Sequence, residues 1–98
     1  MVKHIVLWTL KDDVKKDADK IIADLQQRFH ALLGIVDGLT AIEVGRNYNQ
    51  GSKFDLALYC EFTTKEAQAQ YQTHPAHVAI KEIVHDLVYG RECVDYEI

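Results

Sequence analysis

The chain has 98 residues, 48% of them apolar and 27% charged, and 11 basic against 15 acidic side chains leave a net charge of −4. That is the make-up of one globular domain, residues 1–98, with a core of modest size. The basic residues are scattered, so no nucleic-acid partner is expected, and no apolar run reaches the length of a membrane span, so no membrane association is expected either.

The run from Met1 to Trp8 is apolar but short, His4 interrupts it, and Lys11-Asp12-Asp13 follows. It makes a poor signal peptide, so a cytoplasmic location is the default expectation. Cys60 and Cys93 lack metal-site or redox spacing and are expected to be free, buried thiols. Lys3 to Leu10 reads as a strand, with His4, Val6 and Trp8 on one face and Ile5 and Leu7 on the other. From Val14 through Ala18, Ile22, Leu25 and Phe29 to Leu33, apolar residues recur at helical spacing, with Gly34 placed to cap the helix. Asp37-Gly38 turns the chain into a second strand, Leu39 to Arg46, and Asn47 to Ser52 has the residues of a hairpin loop.

The third strand, Phe54 to Phe62, carries Leu56, Leu58 and Cys60 on one face and Ala57 and Tyr59 on the other. Thr63 or Thr64 can cap a short helix to about Gln72. Pro75 suits the first position of another helix, and His74 before it is biased to extended backbone and suits the junction. Gly90 is placed to end that helix, and Arg91 to Glu97 form a last strand.

The order β-α-β-β-α-β is that of the α+β class, a ferredoxin-like βαββαβ fold with a four-stranded antiparallel sheet. The first strand would lie between the third and fourth, too wide a gap for a Cys60–Cys93 disulfide. Helices can cover only one face of such a sheet, yet Ile5, Leu7, Ala57, Tyr59, Val94 and Tyr96 make the other face apolar too. A second copy packed sheet to sheet, an isologous homodimer, is the expected remedy.

Val2-Lys-His-Ile-Val-Leu7, Ile42-Glu-Val-Gly-Arg-Asn47, Tyr71-Gln-Thr-His-Pro-Ala-His77 and Val94-Asp-Tyr-Glu97 together resemble the stress-responsive A/B barrel (Dabb) family, nearly end to end. The resemblance implies a dimeric α+β barrel. It also extends, at a distance, to a plant branch similar to olivetolic acid cyclase, which closes a linear polyketide by an aldol-type condensation. That branch implies catalytic roles for Tyr71 and His77, with Asp95 orienting the histidine, and a pocket role for His4. Leu56 stands where that cyclase has a further pocket histidine.

His77 falls on the flank of its helix, and Asp95 should point to the helix side of the sheet. A His77–Asp95 bond could prepare a general base, with Tyr71 stabilising an enolate. The same bond could equally be an architectural tie between helix and strand. His4 reads either as a satisfied core histidine or as a pocket group. A ligand between helices and sheet would meet His4, Val6, Trp8, Leu56, Leu58, Phe29 and Ile80, although Trp8 and Phe29 could instead fill the space. His30 and His85 read as solvated.

His74 and His77 lack a third ligand, so no metal is expected, and the chemistry requires no cofactor. Two functions remain open. One is a homodimer that binds a small apolar, carbonyl-bearing molecule, with or without His77-based proton transfer. The other is a non-catalytic, stress-associated interaction module with a closed core. Haem or oxygen chemistry rests on fold analogy alone.

Overall fold

The structure, a computed structural model, describes residues 1–98. β1 (Val2–Leu10) leads through a 3-10 turn (Asp12–Asp17) into α1 (Ala18–His30), followed by β2 (Leu39–Arg46), β3 (Leu56–Phe62), α2 (Lys65–Thr73), α3 (Pro75–Leu87) and β4 (Val88–Glu97). The strands form one antiparallel sheet in the order β2-β3-β1-β4, the ferredoxin-like arrangement. Alternation along β1 buries Val2, His4, Val6 and Trp8 under the helices and leaves Lys3, Ile5 and Leu7 half-buried on the outer face. β3 repeats the pattern, with Leu56, Leu58, Cys60 and Phe62 inside. Ile22, Leu25 and Phe29 of α1 and Ile80 and Val84 of α3 close the core from above. No helix is long and apolar enough to cross a membrane.

Four boundaries differ from the sequence reading. The first helix begins at Ala18 rather than Val14, because Asp12 to Asp17 offers one apolar residue in six and neither Lys11 nor Asp17 supplies a side-chain cap. With nothing to bury, the segment closes tight three-residue turns instead. The same helix stops at His30, and the Leu32 and Leu33 N–H groups donate three residues back, to Phe29 and His30 carbonyls, at 3.0 and 3.1 Å. Gly34, at φ +84°, then reverses the chain. β3 starts at Leu56, since Asp55 is diverted to accept the Leu10 N–H at 2.8 Å. β4 starts at Val88, with Gly90 inside it as the partner of Thr9 rather than as a helix terminator.

β4 is an edge strand paired only with β1, and its residues from Arg91 onward are exposed. This corrects one expectation: Cys93 is exposed, whereas Cys60 is buried and its thiol is pushed up to about 12 by that burial. Both are free, with β1 lying between their strands. On the outer face Ile5, Leu7, Ala57 and Tyr59 are half-buried, and Val94 and Tyr96 are 53% and 43% exposed.

Candidate functional site

The helix junction positions the first part of the site. Thr64 Oγ1 accepts from the Ala67 N–H at 3.1 Å and starts α2. His74 Nδ1 accepts from the Ala76 N–H at 3.1 Å and starts α3, with Pro75 in the first turn where its missing N–H costs nothing. One turn in, His77 is buried and donates from Nδ1 to the Tyr71 carbonyl at 2.9 Å. The two rings stack, with centroids 3.7 Å apart and planes 18° from parallel. Burial lowers the His77 pKa to about 4, against the pull of the Tyr71 carbonyl, and Lys81 and His4 push it the same way as burial. The ring is therefore neutral near pH 7, with its proton on Nδ1 and Nε2 free of any protein partner.

Asp95 does not meet His77, contrary to the sequence expectation. It accepts a hydrogen bond from His4 Nδ1. The reason is register: His4 and Asp95 are directly opposed on β1 and β4, and both point to the helix side. Such cross-strand neighbours lie within side-chain reach, while α3 passes above. His4 is 3% exposed and Asp95 about half-exposed, so the carboxylate holds the ring from the solvent side. Gln68 Nε2 lies 3.4 Å from the same nitrogen. His4 Nε2 carries no protein hydrogen bond.

Between α3 and the helix side of β1 and β4 lies a cavity of about 410 Å³, within the range of small-molecule sites. Both His4 and His77 line it, as do Val6, Trp8, Phe29 and Leu58. Trp8 and Phe29 stack on each other, with centroids 6.0 Å apart, and form a wall rather than filling the space. Leu56 and Ile80, expected beside the ligand, are core residues and do not line it. Tyr71 does not line it either. Its side chain is wholly buried, and its hydroxyl has no hydrogen-bond partner. Burial raises its pKa well above the usual phenol range, so it stays a neutral phenol.

Several lining residues escaped the sequence reading. Gln72 lies in the last turn of α2, Lys81, Val84 and His85 continue the His77 face of α3, and Val88 and Arg91 come from β4. The α3 group carried a signal, since positions 77, 81, 84 and 85 are spaced as one helical stripe. His85 is exposed, as the sequence suggests, and stands at the cavity mouth. One cluster could hold a metal ion: His4 Nδ1, Cys93 Sγ and an Asp95 oxygen lie within 4.8 Å of one another. It would have to replace the His4–Asp95 bond, which uses the same nitrogen.

Taken together, the molecule is a ferredoxin-like α+β domain with a histidine-lined cavity under its last helix. Residues 2–98 match the stress responsive A/B barrel domain, and the chain belongs to that family. The stress-response A/B barrel domain-containing protein HS1 of Arabidopsis thaliana is 31% identical over 87 residues, 84% of this chain and 75% of that protein. An uncharacterized protein of Streptomyces coelicolor is 31% identical over 80 residues, 81% of each chain. Among solved structures, a dimeric ferredoxin-like protein of unknown function from Bacteroides fragilis is 39% identical, with a TM-score of 0.88 over 99% of this chain and 95% of that one.

Proposed function

We propose that the protein is a homodimer that binds a small apolar, carbonyl-bearing molecule in the cavity under α3 and takes a proton from it. The observation that carries this reading is the cavity itself, about 410 Å³, reached by two imidazoles whose Nε2 atoms have no protein partner. A closed core, the mark of a purely architectural module, would have left no such space. The dimer is supported by the apolar outer face and by the dimeric Bacteroides fragilis relative.

The division of labour follows from the two histidines' surroundings. His77 gains a proton only near pH 4, too low for an efficient base at neutral pH. It is suited to accept a hydrogen bond and orient a ligand. His4 is held by Asp95 with its proton on Nδ1, and the carboxylate would stabilise the imidazolium formed when Nε2 takes a proton. His4 is therefore the base in this scheme, Asp95 its orienting partner, and Tyr71 the floor on which His77 rests. The carbon acid loses a proton to His4 Nε2 and becomes an enolate, and no cofactor is needed.

Deuterium uptake at the acidic carbon of a 1,3-dicarbonyl compound, followed by NMR, tests the scheme. Wild type should accelerate exchange by about 10²-fold or more. His4→Gln and Asp95→Asn should abolish most of that, and His77→Gln should mainly weaken binding. Wild-type exchange at the buffer rate would remove the proton-transfer role.

A further inference from the structure

We infer that the ligand carries a carboxylate at its outer end, held at the cavity mouth between Lys81 and Arg91. The inference rests on the binding reading above and narrows it to an apolar acid. The chain is acidic overall, with 15 acidic residues against 11 basic, yet no Asp or Glu lines the cavity. Its charged lining is basic only, Lys81 on α3 and Arg91 on β4, with His85 beside them.

These groups approach from two sides. Lys81 lies one turn after His77 and His85 one turn after that, so the α3 stripe grades from a buried imidazole to exposed polar side chains. Arg91 faces them from the sheet, paired in register with Trp8 on the helix side. Neither Lys81 nor Arg91 enters any of the molecule's ion pairs, which use Lys3, His4, Lys15, Arg28, Arg46 and Lys65. Lys81 Nζ donates to the Gln72 carbonyl at 3.4 Å and keeps donors to spare.

Inward from this rim the wall is apolar, with Val6, Leu58, Val84 and the Trp8–Phe29 stack, until His4 and His77 are reached. A cavity with a cationic mouth, an apolar middle and polar imidazoles within would fix the direction of its guest. The carboxylate stays at the partly wet rim, where charge-assisted hydrogen bonds form without full desolvation of the ion. The other end, bearing the carbonyl, is delivered to the histidines. A neutral ligand of the same shape would satisfy the middle but leave the rim cations unmatched.

Trp8 is the only tryptophan and lines the cavity, so its fluorescence reports occupancy. The test titrates wild type and the double variant Lys81→Gln/Arg91→Gln, both positions exposed, with 4-butylbenzoate and with the neutral 4-butylbenzamide. Wild type should bind the acid about tenfold or more tightly than the amide, and 0.5 M salt should erode that preference. The double variant should bind both probes alike. Equal wild-type affinity for the two probes overturns the inference while leaving the binding reading intact. A preference that survives in the double variant also overturns it. Failure of both probes to bind at all removes the binding reading and the inference together.

Discussion

In an unfolded chain His77 takes up a proton near pH 6.5, and in the fold burial holds that back to about 4. Between those values the unfolded state binds a proton that the native state refuses, so acidification favours unfolding. Above about 6.5 both states are neutral at this residue, and its contribution no longer varies with pH. Urea unfolding of wild type and His77→Gln should therefore differ in pH dependence: the wild-type curve should fall more steeply from pH 6.5 to 4, and the difference should be flat above 7. Parallel curves throughout would mean that the ring is not desolvated. Tyr71 shows the same control by burial on a group that does not titrate. Its hydroxyl lacks a partner at a site where an unmade hydrogen bond costs about 1–3 kcal/mol, so what Tyr71 supplies is the flat ring under His77.

At the scale of elements, two glycines with the same backbone sign have different reasons to be there. Gly34 and Gly38 sit at φ +84° and +81°. A Cβ on Gly34 would point into open space, whereas one on Gly38 would come within 2.5 Å of the Ala67 Cβ on α2. Gly34→Ala should cost only the left-handed conformational penalty, about 1–2 kcal/mol. Gly38→Ala adds a steric overlap between β2's entry turn and α2, so its cost should exceed that of Gly34→Ala by roughly 1–3 kcal/mol. Equal midpoint shifts in denaturant would show that α2 gives way freely.

The elements were largely readable in the sequence because parity and helical spacing are local properties. Alternation placed His4, Val6 and Trp8 on one face of β1, and Pro75 marked the start of α3. The pairing of Asp95 was not local. It depends on which residue of β4 stands opposite His4, and nothing in the pattern of either strand specifies that offset. The cavity walls divide in the same way. His77 stands out by its own residue type, whereas Lys81 and His85 matter only through the space beside their stripe, and Arg91 only through the register that sets it opposite Trp8.

For the whole molecule, the outer sheet face is the largest unfinished business of the single chain. Ile5 lies at its centre, flanked in register by Tyr59 on β3 and Val94 on β4. Ile5→Glu should convert the proposed dimer to a monomer and weaken association by about 100-fold or more, read by analytical ultracentrifugation. Ile35→Glu, at an exposed apolar residue in the turn after α1, should leave association unchanged and serves as the control. If the two variants sediment alike, another surface mediates assembly.

β1 runs down the middle of the sheet and serves both sides of it, His4, Val6 and Trp8 toward the cavity and Ile5 and Leu7 away from it. Within that strand the chain is forgiving of changes in side chain but not of changes in length. Removing one residue between His4 and Trp8 would invert every later side chain at once, turning Trp8 out of the cavity and Leu7 into it. Relatives that have diverged in ligand should therefore differ in β1 by replacement alone, while insertions and deletions gather in segments such as the exposed Tyr48–Gly51 loop.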